Sequence, residues 1–259
     1  MDVVVGSGPL ARTLARSLAS IRSNVTFASE AVAEGPFLWR RANPVTGEGV
    51  VAALHDADRA YVVLERAAPA HGVFAAIERL AIPRGIAVVP FGSGKIPALA
   101  GRDGWSYLEV GPCWGAEEPL LAAWSSTIAH GGHLRWFDPG PVFPVPMPEA
   151  VQAVHAALER PGIHWRLPGS RSSLAELAAE LGWFHRHPLR ATRVAPASGL
   201  RRLGLPKDHT ALWTRVPASE RDTGDWSCGV PRGPAGWFAD LSHRNAVLPP
   251  IVDPGVSSL

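Results

Sequence analysis

Two lysines, two tyrosines, two cysteines and two methionines are all that 259 residues contain of those types. Each shortage excludes something. With only Lys95 and Lys207, the basic residues are almost all arginine, scattered along the chain and balanced by 23 acidic residues. No basic stripe of the kind that tracks a phosphate backbone is present, so nucleic acid is not an expected partner. Cys113 and Cys228 are too few for a disulfide framework or, unaided, a metal centre. They allow one disulfide at most, and reduced thiols are the expectation in a cytosolic protein. No apolar run approaches the roughly 20 residues that a membrane span needs. The first residues enter a strand without a charged leader and cleavage site, so a cytoplasmic location is expected. Gly-x-Ser-x-Gly is absent, which disfavours hydrolase chemistry of that type.

What is present is enough chain for one large domain, or a domain with a smaller lobe. Asp2-Val3-Val4-Val5 reads as a short buried strand. Apolar residues then recur at Leu10, Leu14, Leu18 and Ile21, the period of a helix with one apolar face. Val25–Ala28 is a second strand, and Phe37–Arg40 a weaker third. Gly49–His55 reads as a short helix and Tyr61–Leu64 as a buried strand. Val73, Phe74, Ile77 and Leu80 line a helix face; Ile86–Val89 and Tyr107–Val110 are further strands. Strands alternating with helices predict a parallel sheet covered on both faces, a doubly wound α/β fold of Rossmann type.

From Pro112 the texture changes. A helix is expected over Leu120–His130, and loop over 138–148, with prolines at 139, 141, 144, 146 and 148. An amphipathic helix over Glu149–Glu159 and a strand over Ile163–Leu167 follow. Ser173-Leu174-Ala175-Glu176 is a capping box that opens a helix expected to stop at Gly182. Beyond Leu205 the chain is rich in Pro, Gly and Trp, and reads as an irregular wrap in which Trp213, Trp226 and Trp237 find cover. The expected division is a nucleotide-binding core over 1–112, then a small substrate lobe and C-terminal wrap over 113–259, with 145–168 returning to the core.

The first strand runs into Gly6-Ser7-Gly8-Pro9-Leu10-Ala11. In a strand–GxGxxA–helix unit the first glycine permits the tight turn and the second lets backbone approach a pyrophosphate. The alanine allows helix and strand to pack closely. Pro9 suits the first helical position, and the helix start favours phosphate. Glu30, 24 positions after Gly6, suits a ribose 2′-hydroxyl and repels a 2′-phosphate, which favours NAD over NADP. The competing reading is a tight turn that binds nothing, with Glu30 a solvated loop acid.

The ordering resembles the extended, atypical short-chain dehydrogenase/reductase superfamily, the NAD-dependent epimerase/dehydratase group, over residues 1 to 200. Val3-Val4-Val5-Gly6-Ser7-Gly8 is similar to its first strand and glycine turn. Asp58-Arg59-Ala60-Tyr61-Val62-Val63-Leu64 is similar to its fourth strand, and Val88-Val89-Pro90-Phe91-Gly92-Ser93 to its fifth with a serine turn. Leu108-Glu109-Val110-Gly111-Pro112-Cys113-Trp114-Gly115 resembles the sixth strand and an Arg-Pro-x-x-x-Tyr-Gly motif. Val145–Val151 resembles the opening of a later helix. The resemblance implies a cofactor cleft, a small-molecule substrate, and a substrate lobe in 113–145 and the C-terminal part. Two departures stand out. Neither tyrosine is followed four places on by lysine, and residues 90–106 are too few for the helix that carries the family's catalytic Tyr-x-x-x-Lys. Glu109-Val110-Gly111 replaces the common Arg-Pro.

Acid/base work would then pass to another group. Ser93 stands at the family's serine position, or is only a turn hydroxyl between glycines. Lys95 lies near the same strand end, as a phosphate ligand, a desolvated base, or a solvated loop lysine. Glu65 follows the fourth strand at the cleft mouth, as a base, an obstacle to the cofactor, or the partner of Arg66. Glu117 and Glu118 suit a helix start. His130 with His133, and His185 with His187, lack a Cys, Asp or Glu at ligand spacing, so no metal is expected. Trp105, Trp114, Trp124 and Trp136 either wall an apolar pocket or form plain core.

Three functions remain open. The first is an atypical NAD(P)-binding oxidoreductase or epimerase-like enzyme. The second is a non-redox isomerase, cyclase or lyase of secondary metabolism on the same scaffold, with the cofactor cleft a relic. The third is an NmrA-like sensor without turnover. Substrate and oligomeric state are not readable from the residues.

Overall fold

The computed structural model describes residues 1–64, 71–90, 102–115, 118–136, 142–162, 164–167, 169 and 171–193. Strand β1 (Asp2–Gly6) is buried along its whole length, as a strand covered on both faces must be. Helix α1 (Pro9–Ile21) buries Leu10, Ala11, Leu14, Ala15 and Leu18. Ile21, expected on that face, is exposed because the helix ends there. Strand β2 (Val25–Ser29) follows, then β3 (Leu38–Arg41), which begins one residue later than expected. Phe37 instead packs edge-on against Phe27, with ring centroids 5.2 Å apart.

Helix α2 (Val50–Leu54), β4 (Arg59–Val63), α3 (His71–Leu80), β5 (Arg84–Pro90) and β6 (Trp105–Val110) complete the first half. Then come β7 (Cys113–Trp114), α4 (Pro119–Ala129), β8 (Leu134–Trp136), β9 (Val145–Pro146), α5 (Met147–Leu158), β10 (His164–Leu167), α6 (Leu174–Phe184) and β11 (Ala191–Arg193).

The central sheet has seven strands in the order β10-β6-β5-β4-β1-β2-β3, all parallel. It is the doubly wound α/β fold expected. The order reverses at β1, with β2 on one side and β4 on the other. The crevice outside the C-terminal ends of β1 and β4 is therefore where such sheets bind ligands. One face packs on α1 and α5 through Val4, Leu14, Ile86, Val88, Leu108, Ala150 and Val154. The other packs on α2 and α3 through Val3, Val5, Val62, Val73, Ile77 and Trp105.

A separate apolar cluster forms the small lobe from Trp114, Leu120, Leu121, Trp124, Ile128, Leu134, Val142, Leu174, Leu177 and Leu181. Two expectations fail here. The 138–148 stretch is not all loop: Val145 and Pro146 pair in parallel with Cys113 and Trp114, and α5 starts at Met147. Pro148 is tolerated because it occupies the first helical turn, where its missing N–H costs nothing. Helix α6 runs past Gly182 to Phe184. A Cβ on Gly182 would stand 3.3 Å from the His187 carbonyl oxygen and 3.4 Å from the Leu189 Cβ. The stop is made by Arg186 in the left-handed region at φ 54°. The Arg186 amide donates to the Trp183 carbonyl, and the His187 amide to Gly182. That is a Schellman closure without the usual glycine.

Candidate functional site

At the switch point, β1 ends in Gly6 and α1 starts at Pro9, with Gly8 at the N-cap. Gly8 is extended (φ −103°, ψ −175°) and offers no side chain over the helix end. Gly6 does not use glycine's access to positive φ. It is required by room: a Cβ there would lie 2.7 Å from the Ala11 Cβ and 2.7 Å from the Val63 carbonyl oxygen. Ala11 is fully buried in that contact. The Gly-x-Gly-x-x-Ala spacing thus corresponds to a physical closeness of β1, α1 and β4. Ser7 is exposed, Pro9 is half-buried, Leu10 is buried, and the Arg12 amide donates back to the Gly8 carbonyl.

Glu30 lies just past the end of β2 and is exposed. It lines a polar pocket of about 200 Å³ with Arg41, Ala42, Asn43, Glu48 and Gly49. Arg41, the last residue of β3, stands in register with Ser29. The sequence reading missed Arg41, Asn43 and Glu48, because Arg41 reaches Glu30 through the β2–β3 pairing and Asn43 and Glu48 through the loop after β3. Trp39, two residues back, donates its indole N–H to the Ser29 hydroxyl at 3.0 Å and fixes that strand edge.

Glu65, Ser93 and Lys95 lie outside the described residues, as does Glu117. Both tyrosines are strand residues. Tyr61 is fully buried in β4. Burial, and then the Asp2 carboxylate, push its phenol up to about 12. Its charged neighbours Asp2, Arg22 and Arg59 lie at the N-terminal ends of the strands, away from the glycine turn at their C-terminal ends. Tyr107 sits in β6, raised by burial and by Glu109. Glu109 is buried and paired at 3.6 Å with Arg166, its register partner on β10. Tyr107, Glu109 and Arg166 make a polar row where β6 pairs with β10.

Glu118 caps α4: its carboxylate accepts from the Leu121 amide at 2.6 Å, the role expected of an acid at a helix start. The histidines are spent elsewhere. His130 bonds the Ser126 carbonyl, His133 the Thr192 hydroxyl and His185 the Ser125 hydroxyl. Among the described residues no group of three or more His, Cys, Asp or Glu converges on a metal position. Of the four tryptophans, Trp105 does not join the others. It packs against the second face of the sheet and donates to the Ile82 carbonyl. Trp114 and Trp124 are fully buried core of the lobe, with Trp136 against them. Among the described residues no helix is long and apolar enough to cross a membrane.

No family model and no curated protein matches the chain. Solved structures do. A GalE-like L-threonine dehydrogenase from Cupriavidus necator superposes with a TM-score of 0.65 at 13% identity, over 93% of this chain and 98% of that one. A nucleoside-diphosphate-sugar epimerase from Pseudomonas aeruginosa gives 0.60 at 17%, over 92% and 97%. An NADPH-dependent quinone oxidoreductase from Escherichia coli gives 0.57 at 18%, over 83% and 86%. At these identities the likeness shows the fold. The three proteins differ in named chemistry, so the fold does not select among reactions.

Proposed function

We propose that the protein binds a nicotinamide dinucleotide, NAD in preference to NADP, and acts on a small organic molecule by oxidoreductase or epimerase-like chemistry. The observation that carries this is the contact of Gly6 with Ala11 and Val63 at the switch point of the sheet. It leaves a helix start bare of side chain at Gly8, where backbone can approach a pyrophosphate. Glu30 stands one strand over, suited to accept from a ribose hydroxyl. These residues fit the group. When bound, a nicotinamide supplies a hydride acceptor or donor. The chain's part is to hold the phosphates at residues 6–11, anchor the ribose at Glu30, and move a proton at the substrate oxygen.

That proton cannot pass through a Tyr-x-x-x-Lys pair, which the chain does not contain. Ser93, Lys95 and Glu65 are the groups proposed for it, all following strands β4 and β5, whose C-terminal ends border the cleft. The strand positions of both tyrosines favour a second reading. In it the scaffold serves a non-redox isomerase, cyclase or lyase, or an NmrA-like sensor, and the proton-transfer residues are not needed.

Calorimetric titration with NAD, NADH, NADP and NADPH tests the first reading. Micromolar binding of one pair, abolished in Gly8→Trp with the fold intact, is the expected result. No binding at millimolar concentration removes the cofactor and leaves the cofactor-independent readings.

A further inference from the structure

The pocket beside Glu30 holds more charge than the sequence pattern uses. Two carboxylates, Glu30 and Glu48, and one guanidinium, Arg41, line the same cavity of about 200 Å³. The backbone of Glu48 is tied at both ends, which fixes the position from which its side chain reaches the pocket. Its amide donates to the Thr46 hydroxyl, and its carbonyl accepts from the Asn43 amide. The Asn43 carboxamide oxygen accepts from the Val45 and Thr46 amides, which closes the loop from 43 to 48. Gly49 completes the wall at φ 72°, so close to β3 that a Cβ would stand 2.3 Å from the Arg41 carbonyl oxygen. The pocket therefore presents one negative charge in excess, from a fixed loop, at the end of β2.

We infer that Glu48 is a second specificity-determining residue for the dinucleotide, acting with Glu30 to admit an adenosine with a free 2′-hydroxyl and to reject one with a 2′-phosphate. The inference rests on the dinucleotide reading above. A hydroxyl donates to either carboxylate, whereas a phosphate dianion meets two of them and a single guanidinium. With Arg41 the one cation among the lining residues, the sum is unfavourable to a further anion. Glu48 is exposed and uses only its backbone in folding contacts, so Glu48→Gln leaves the fold unchanged.

The test is calorimetric titration of the full chain, and of Glu48→Gln and Glu48→Lys, with NAD and NADP at low and at high salt. Glu48→Gln is expected to strengthen NADP about fivefold relative to NAD, the effect of removing one solvent-exposed charge near a dianion. Glu48→Lys extends the gain, and high salt shrinks both. If NADP and NAD move together, or neither moves, Glu48 is no determinant and the dinucleotide reading stands. A wild-type preference for NADP overturns the inference in the same way. If the wild type binds neither, the dinucleotide reading fails and the inference falls with it.

Discussion

The sheet and the small lobe are held by different means. In the sheet the polar groups of the backbone satisfy one another along seven parallel strands, and side chains contribute shape: Gly6 and Ala11 let α1 and β4 close on β1. In the lobe, side chains do the joining. Glu118 caps α4, and Ser173 and Glu176 close a reciprocal capping box on α6. The fully buried Ser125 hydroxyl meets the His185 imidazole at 2.7 Å between the two helices. The lobe is therefore the part whose helices are capped and joined through single polar atoms, and the glycine turn of the sheet the part that depends on room.

The comparison can be broken at either end. Trp124→Ala should cost the lobe about 4 kcal/mol, the usual loss for truncating a fully buried tryptophan. Chemical denaturation should then show the lobe melting ahead of the sheet, and a single unshifted transition would refute their independence. Gly6→Ala should cost about 2 kcal/mol, because its methyl group meets the Val63 carbonyl oxygen and the Ala11 methyl group at once. An unaltered melting temperature would mean that β1, α1 and β4 are looser than described. Glu118→Ala should cost about 1 kcal/mol through loss of the cap, and Glu118→Asp should recover part of it.

The smallest effect is the one most particular to the lobe. Burial, and then the nearby His187, hold the His185 imidazole below its ordinary value of 6.5. As pH falls through 6.5 the unfolded chain binds a proton that the folded lobe resists. Stability is thus full above that value and declines below it, until the folded imidazole titrates too. His185→Gln should flatten the acid limb of a stability-versus-pH curve. If the limb keeps its slope, the acid sensitivity belongs to another group, His155 being a second imidazole that burial depresses among the described residues.

Much of the sheet was readable because its signals are local. Val3-Val4-Val5 and Ile86–Val89 are apolar runs of strand length, and Leu10, Leu14 and Leu18 repeat at helical period. The glycine turn was readable as a pattern, though the reason for Gly6 was not, since Val63 is 57 residues away. The partners of Glu30 were hidden for the same reason. Arg41 reaches it through strand register, and Glu48 through a loop closed by Asn43. Proline concealed the start of α5, because Pro148 breaks a helix everywhere except in its first turn. Gly182 misled as a stop, because a glycine inside the last turn of a helix looks the same in sequence as one that ends it.

The strand order also fixes when each part of the sheet becomes available to a growing chain. The strand β1 lies between β2 and β4, so both its ladders exist once residue 63 has been made. The β6 strand, complete at Val110, gains its outer neighbour β10 only at Leu167, after the helices α4 and α5. During synthesis the half of the sheet that carries the glycine turn can therefore assemble early. The far edge, with Glu109 still lacking Arg166, stays unpaired for more than 50 further residues. Long-range parallel pairing of this kind is slow, and that edge is left open to mispairing while the chain is made.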